Sequence, residues 1–580
     1  MAQLIYKNNK EIALVCGEIA YFLEMEGVAF KPKAYEKVAA VIFDLSEDVF
    51  ELYLQGGLGA LENIPGIGVS IAEKIEEFFK TGKIKYLEGL KKKWPVKVDE
   101  FMNIEGVGPK TVRHLYEKLG VKNLSDLELA LKKNKISGLE GFGEKSQERI
   151  LKSIEFHKRS GGRAVLGFIM PEIKKLEDKL KIIKGVERAD ATGSVRRMKE
   201  TIGDIDFLVI SKNSKPVMDF FTNMPEVEKV FAYGGTKSSV RLKNGLDADI
   251  RVVEPGSYGA ALNYFTGSKE HNIALREISI KKGYKLNEYG LFKGNKQIGG
   301  KTEEDLYEKL GLRYIEPELR EMRGEIEAAR KNKLPKLIGY KDLVGDLHVH
   351  SDWSDGANSI EEMARAAIGK GLEYIVLTDH SKHLGIAHGL DEKQLKQQWK
   401  EIDATNRKLK AEGSEFKILK GTECDILKDG SMDFSDEILE QFDVVCASAH
   451  SSFNLSEEEQ TERIKRAMRN KNVDIICHLT GRVINQRDAY KLDIGEIIKT
   501  AKETGTVLEI NAFPNRLDLK DEYIKKCVEA GVKMSIDTDS HLTDHLDYAV
   551  YGIAQARRGW AEKKDIINAW PAEKMLKMLK

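Results

Sequence analysis

The chain has 580 residues, 41% of them apolar and 32% charged, with 93 basic and 93 acidic side chains. That length exceeds what one hydrophobic core serves, so several domains are required, and the apolar fraction excludes bulk disorder. No run of 18 or more apolar residues occurs, so no membrane span is expected. The first residues, Met1 to Lys7, contain no apolar signal core, so a cytoplasmic protein is expected. Cys16, Cys424, Cys446, Cys477 and Cys527 form no CxxC pair and read as reduced and buried. The zero net charge is unevenly distributed: basic against acidic residues number 25 and 24 in 1–160, 32 and 26 in 161–335, and 36 and 43 in 336–580. An acidic back region that works near polyanions needs cations. Nine of the twelve histidines fall between His348 and His545, which points to a metal site there.

Apolar spacing predicts helices over residues 11–23 and 35–45. Three segments then share one form, an apolar residue followed by Gly-x-Gly and a helix start. They are Ile64-Pro65-Gly66-Ile67-Gly68, Ile104-Glu105-Gly106-Val107-Gly108-Pro109-Lys110 and Leu139-Glu140-Gly141-Phe142-Gly143-Glu144-Lys145. The glycines allow a tight turn, and the helix N-terminus that follows offers unpaired backbone N–H groups to a phosphate. One copy is as readily a plain helix-to-helix turn. Three copies form the helix–hairpin–helix pattern of DNA binding without sequence preference, with Gly66, Gly68, Gly106, Gly108, Lys110, Gly141 and Gly143 as its contacts.

Residues 163–320 mix helices and strands, with strand-like runs at 206–210 and 248–253. This block carries Thr192-Gly193-Ser194-Val195-Arg196-Arg197, then Gly203-Asp204-Ile205-Asp206, then Asp247-Ala248-Asp249-Ile250-Arg251. Asp204 and Asp206 are two apart, so a strand presents both on one face, where they repel unless cations neutralise them. Asp249 from a neighbouring strand completes a trio able to hold two Mg²⁺ (or Mn²⁺) ions for in-line phosphoryl displacement. Gly193 and Ser194 can cradle a triphosphate, with Arg197 pairing its charge.

These residues resemble the nucleotidyltransferase superfamily, and specifically family X DNA polymerases, over roughly residues 1–318. The most specific stretch is Asp249-Ile250-Arg251 followed by Tyr264-Phe265-Thr266-Gly267-Ser268. The resemblance implies that Tyr264 and Phe265 line the sugar side of the nucleotide pocket and disfavour ribose. It places Asn272 on the incoming nucleotide and Arg276 along the minor groove, with Gly203 and Gly267 also in the nucleotide-binding set. Lys269 departs from the pattern, since relatives commonly carry an acidic or polar residue there. Ile71-Ala72-Glu73-Lys74-Ile75 resembles the small lyase domain of the same family, in some members of which the lysine matching Lys74 forms a Schiff base. Ser70 and Phe30 replace residues usual in those members.

From Asp342 onward strands and helices alternate, with strand-like runs at 374–377, 444–447, 473–477, 507–510 and 533–536, the rhythm of an α/β barrel. In such barrels the site lies at the C-terminal strand ends. Those ends carry Asp379-His380, His450, His478, Asn511 and Asp539-Ser540-His541, and Asp346-Leu347-His348-Val349-His350 puts two histidines on one strand face. This order resembles the PHP (polymerase and histidinol phosphatase) family over roughly residues 342–570. The implied ligands are His348, His350, Asp355, His380, Glu423, His450, His478, Asp539 and His541. Nine nitrogen and oxygen ligands suit up to three Zn²⁺, Mn²⁺ or Fe²⁺ ions with Glu423 bridging. Such ions would activate water against a phosphodiester and stabilise the departing oxyanion. Asp379 is expected to orient a ligand, and Arg482, four residues after His478, to hold the substrate phosphate. His383, His388 and His545 are expected to be local or surface residues.

The expected fold is multi-domain: a helical helix–hairpin–helix region, an α/β nucleotidyltransferase palm and thumb, and a C-terminal PHP α/β barrel. Its expected divisions are a lyase-like domain at 1–90, a fingers-like segment at 91–160, palm and nucleotide-binding subdomain at 161–318, a linker at 319–341 and the PHP domain at 342–580. The resemblance implies a DNA repair polymerase that fills gaps in gapped or primed DNA with dNTPs, a nucleoid-associated monomer. The back would act as a 3′→5′ exonuclease, with 3′-phosphatase or abasic-site endonuclease activity as further options. Two rivals remain for the back domain: a small-molecule phosphomonoesterase and a non-catalytic scaffold.

Overall fold

The computed structural model describes residues 4–579 apart from 8, 46–47, 102–103, 105, 140–141, 144–145, 149, 152–153 and 155–162. Two compact units emerge, one of residues 1–160, 483–488 and 542–545 and the other built from 161–482, 489–541 and 546–580.

The first unit is helical. Helix Asn9–Met25 contains the first expected segment and Lys31–Asp44 the second up to Leu45, which caps it, and Ile12, Ile19, Phe22, Val38 and Ile42 supply their buried faces. Two Gly-x-Gly turns lead into helices, Gly66 before Val69–Thr81 and Gly106 before Pro109–Leu119. Gly66 (φ +84°) and Gly106 (φ +82°) take left-handed backbone, which glycine adopts without Cβ strain. Gly68 and Gly108 are the helix N-caps, and Lys110 is exposed in the first turn of its helix. In the third turn, Gly143 accepts the Gln147 N–H at 3.0 Å. Gly141 lies outside the described residues.

In the second unit a five-stranded sheet runs in the order Val186–Ala191, Asp204–Ser211, Asp247–Val253, Lys237–Leu242, Val227–Tyr233. The Asp204–Ser211 and Asp247–Val253 strands are parallel, with Asp206 opposite Asp249. Ile205, Phe207, Ala248 and Ile250 alternate with the carboxylates and join a core with helices Leu166–Lys181 and Lys215–Asn223. That alternation is what forces the acidic residues onto the opposite face. Helices Tyr258–Thr266 and Lys269–Lys281, a three-stranded antiparallel sheet and helix Glu303–Lys309 follow around Leu275, Leu291, Leu306 and Tyr307.

Residues 319–341, expected as a linker, are packed: Leu319, Arg320, Glu325 and Ile338 are buried, and the only regular element is helix Glu325–Arg330. Beyond them seven parallel strands follow in chain order: Gly345–Val349, Tyr374–Leu377, Lys417–Asp425, Val444–Ser448, Ile475–Ile476, Val507–Asn511 and Met534–Asp537. The end returns to the start, since His350 N–H donates to the Ser540 carbonyl at 2.8 Å. The result is a nearly closed barrel whose strand ends converge.

Candidate metal-dependent active sites

On the palm sheet, the Asp204–Ser211 strand and its parallel neighbour place Asp204, Asp206 and Asp249 together. Burial and the charges of Asp204 and Asp249 push Asp206 up to about 6, against the relief given by Lys237 and Arg197. Lys237 Nζ lies 3.0 Å from Asp249 Oδ2. The shift of Asp206 shows more negative charge here than the protein surroundings neutralise, which is the donor set divalent cations seek. Gly193 faces it closely: a Cβ there would stand 2.8 Å from Asp206 Oδ2, and its φ is +59°. Thr192 N–H donates to the Asp206 carbonyl at 2.7 Å, which locks the Gly193-Ser194 turn to the carboxylate strand.

The flanking residues are arranged by backbone contacts. Tyr264 and Phe265 meet edge to face at 5.1 Å. Asn272 Nδ2 donates to the Tyr264 carbonyl at 2.7 Å and the Gly267 carbonyl at 3.2 Å, and a Cβ at Gly267 would stand 2.5 Å from Asn272 Oδ1. Gly203 and Arg276 are exposed. Arg197 Nε donates to Glu321 Oε1 at 2.8 Å and Nη1 to the Thr266 carbonyl at 2.6 Å. Arg196, which sequence reasoning passed over, donates through Nη1 at 3.0 Å and Nη2 at 2.7 Å to Glu303, which also pairs with the buried Arg320. Burial would raise Glu303, but Arg320 and Arg196 hold it down at about 2. This buried lock joins the Gly-Ser turn to the thumb helices.

At the barrel mouth all nine expected ligands come together, in overlapping groups whose donor atoms lie within 4.8 Å of one another. Glu423 is central. Its Oε1 lies 2.8 Å from His478 Nε2 and 3.1 Å from His450 Nε2. Its Oε2 lies 2.9 Å from His380 Nδ1, 3.4 Å from His348 Nε2 and 3.5 Å from His350 Nε2. Asp539 Oδ1 lies 3.4 Å from His350 Nε2, and Asp355 Oδ1 lies 3.3 Å from His541 Nε2. Burial alone would raise Glu423, yet His380, His450 and His348 hold it well below the usual range. Burial lowers His380, but Glu423 and Asp355 outweigh it and push the ring up to about 10. Burial, with the neighbouring His541 and His380, drives His350 down to about 3. Buried His348 Nε2, both His350 ring nitrogens, His380 Nδ1 and His450 Nδ1 have no hydrogen-bond partner. Orphaned buried nitrogens converging on carboxylates are the signature of ligands prepared for metal. His478 (φ +27°) and Asp539 (φ +54°) hold left-handed backbone, strain of the kind concentrated at functional sites.

Helix–hairpin–helix models match residues 7–84, under the description Helix-hairpin-helix domain, and 98–155, as SAM-like Helix-hairpin-helix tandem. The DNA polymerase beta thumb model matches residues 261–321, and the PHP domain model matches 346–513. The chain is 38% identical, over 97% of its length and 97% of the relative's, to "DNA polymerase/3'-5' exonuclease PolX" of Bacillus subtilis (strain 168). This chain belongs to the family X DNA polymerases that carry a PHP domain. A probable phosphatase of Thermoanaerobacter sp. (strain X514) is 36% identical over 35% of the chain and 80% of its own length. One of Caldanaerobacter subterraneus subsp. tengcongensis is 34% identical over 34% and 77%.

Within this family X chain several sequence expectations take a different form. Arg482 is not free to hold a substrate phosphate. Its side chain is 5% exposed, its Nη2 lies 2.7 Å from Glu200 Oε2, and its Nε donates to the Arg516 carbonyl at 2.9 Å. Arg516 takes the place beside the cluster, with Nε 3.3 Å from Asp539 Oδ2. Asp379 orients no histidine ring. It accepts from Ser351 N–H at 2.9 Å, Ser351 Oγ at 2.7 Å and Gln398 Nε2 at 2.6 Å, fixing the turn that carries Asp355. The ring is oriented by Glu509, whose Oε1 meets His348 Nδ1 at 2.6 Å. Glu509 stands in the apolar run Val507-Leu508-Glu509-Ile510, a signal that sequence reading could have used. Arg516 sits in a loop with no such pattern. His383 and His388 are exposed and outside the ligand set. In the helical unit Lys74 Nζ donates to Ser70 O and Oγ, both at 2.9 Å, and stands 5.4 Å over the Tyr86 ring. No helix among the described residues is long and apolar enough to cross a membrane.

Proposed function

We propose that this chain is a gap-filling DNA polymerase whose PHP domain removes nucleotides from 3′ ends. The observation that carries the reading is two separate clusters of ligand-type side chains in one chain that matches, over 97% of its length, a relative named for both activities. The helix–hairpin–helix turns would grip DNA through its phosphates. Asp204, Asp206 and Asp249 would hold two Mg²⁺ or Mn²⁺ ions, which supply charge neutralisation and activation of the attacking hydroxyl when bound. Ser194 and Arg197 would meet the triphosphate of a dNTP. The small Gly193 lets that group approach the carboxylates. Tyr264 and Phe265 would line the sugar side, and Asn272, which holds the helix-to-helix turn at Gly267, would contact the incoming nucleotide.

In the barrel, His348, His350, Asp355, His380, Glu423, His450, His478, Asp539 and His541 would hold up to three Zn²⁺, Mn²⁺ or Fe²⁺ ions, which supply a nucleophile and Lewis acidity when bound. Asp355 is 33% exposed and His541 27%, so the substrate phosphate enters on their side. Arg516, 24% exposed and held by its Nε against Asp539 Oδ2, would pair with the phosphate charge. The two probable phosphatases favour a second reading of this domain, hydrolysis of phosphomonoesters. The test is a substrate panel with the full chain and Mn²⁺: a 5′-labelled primer in gapped DNA, the same primer ending in a 3′-phosphate, and a small phosphomonoester. Extension with dNTPs and stepwise shortening without them carry the reading. Phosphate release with no shortening replaces the exonuclease by the phosphatase.

A further inference from the structure

Two barrel arginines converge on one loop of the polymerase sheet. That loop, residues 197–203, joins the Gly193-Ser194 turn to Asp204, so it spans the triphosphate side and the carboxylate side of the site. Arg558, at the end of helix Ala549–Arg558, donates through Nη1 to the Arg197 carbonyl at 3.0 Å and Glu321 Oε1 at 3.1 Å. Its Nη2 donates to Asp521 Oδ2 at 2.6 Å. Glu321 is the same carboxylate that receives Arg197 Nε at 2.8 Å. Arg482 meets Glu200 with both arms, at 3.3 and 2.7 Å. Both barrel arginines are nearly sealed from water, at 2% and 5% exposure, where charge-assisted and bidentate contacts are strongest.

At its far end Thr201–Ile202 pair antiparallel with Ala164–Val165, and the Leu166 N–H donates to the Glu200 carbonyl at 3.0 Å. Met198 is held in left-handed backbone (φ +51°), and between Arg197 and Glu200 the turn is closed by Met198 N–H to Val195 and Lys199 N–H to Ser194. Other contacts already hold the barrel to the polymerase part. Arg557 pairs with Glu318 at 2.7 Å, and Tyr551 Oη donates to the Gly167 carbonyl at 3.1 Å. The Arg558 and Arg482 contacts therefore add something to packing: they fix where Arg197 and Ser194 stand relative to the carboxylates.

We propose that Arg558 and Arg482 of the barrel are positioning residues for nucleotide addition, holding the 197–203 loop in the form that receives a nucleoside triphosphate. This rests on the reading of the Asp204, Asp206 and Asp249 trio as the nucleotidyl-transfer site. On this account the polymerase site is completed by the PHP domain, through Glu200 and Glu321, without sharing its metal ligands.

The test is single-nucleotide addition on gapped DNA by the full chain, with dNTP concentration varied, for wild type, Glu200→Gln, Glu321→Gln and Arg558→Lys. Glu200 is 31% exposed, so its variant keeps the question open to test even where Arg558→Lys fails to fold. Loss of either contact raises the dNTP KM about tenfold, the scale of one charged hydrogen bond, with kcat within about twofold. Primer shortening without dNTPs and the thermal midpoint of Glu200→Gln stay at wild-type values. An unchanged KM in folded Glu200→Gln and Glu321→Gln overturns the proposal, as does a parallel fall of kcat, shortening and stability. A wild type that shortens primers but adds no nucleotide overturns the underlying reading and the inference with it.

Discussion

The two centres solve the same electrostatic problem in opposite ways. The palm site is three carboxylates on an open sheet face, with Asp204 exposed and one lysine against Asp249. The barrel site surrounds buried carboxylates with six imidazoles and oriented neighbours such as Glu509. The first keeps negative charge that its protein surroundings do not neutralise. The second has its carboxylates already flanked by imidazoles. Exposure, ligand number and donor type separate them.

That contrast can be broken most forcefully by removing one centre at a time. Asp206→Asn is expected to lower nucleotide addition at least about 10³-fold while primer shortening continues, measured on the same labelled primer. Glu423→Ala is expected to do the reverse and to lose its transition metal, read by elemental analysis, because Glu423 touches five imidazoles. A milder comparison is metal retention. After brief dialysis against a weak chelator, extension is expected to depend wholly on added Mg²⁺, whereas the barrel metal stays with the protein. Glu509→Gln is expected to weaken that retention about 10- to 100-fold, since the ring of His348 loses its orienting acceptor.

The smallest effect is on stability. Asp206 is raised to about 6 in the folded chain, against about 3.9 for a free aspartate. Below about pH 4 both states are protonated and the residue is neutral in effect. As pH rises through about 6 the folded state must ionise a carboxylate it prefers to keep protonated, so stability falls, by at most about 3 kcal/mol. Asp206→Asn is therefore expected to raise the thermal midpoint of the metal-free protein at pH 7.5 and leave it unchanged at pH 4. Added Mg²⁺ is expected to narrow the difference. Equal midpoints at pH 7.5 would mean that the trio is already neutralised by the protein.

Much of this was legible because short strands carry simple periods. Asp204, Asp206 and Asp249 face one way because Ile205, Phe207, Ala248 and Ile250 must face the core. The residues expected as barrel ligands meet because parallel strands converge, so His350, His380, His450, His478 and His541, one to four residues past their strands, reach one mouth. What escaped depended on partners far along the chain. Arg482 looks like a phosphate ligand from its spacing to His478, but its partner Glu200 is 282 residues away. The 319–341 segment is charged enough to read as a linker, yet Arg320 is wholly buried against Glu303. The strand expected over 473–477 is only Ile475–Ile476, because Cys477 and His478 already turn toward the metal ligands. Charge in a sequence shows that a partner is needed without showing where it stands.

The central claim is that two independent centres share this chain. Its most direct test is one gel of a 5′-labelled primer in gapped DNA with Mn²⁺, with and without dNTPs, for wild type, Asp204→Ala/Asp206→Ala and His348→Ala/His350→Ala. The account expects extension to vanish only in the first double variant and shortening only in the second. Loss of both activities in either folded variant, or shortening that persists without His348 and His350, would contradict it.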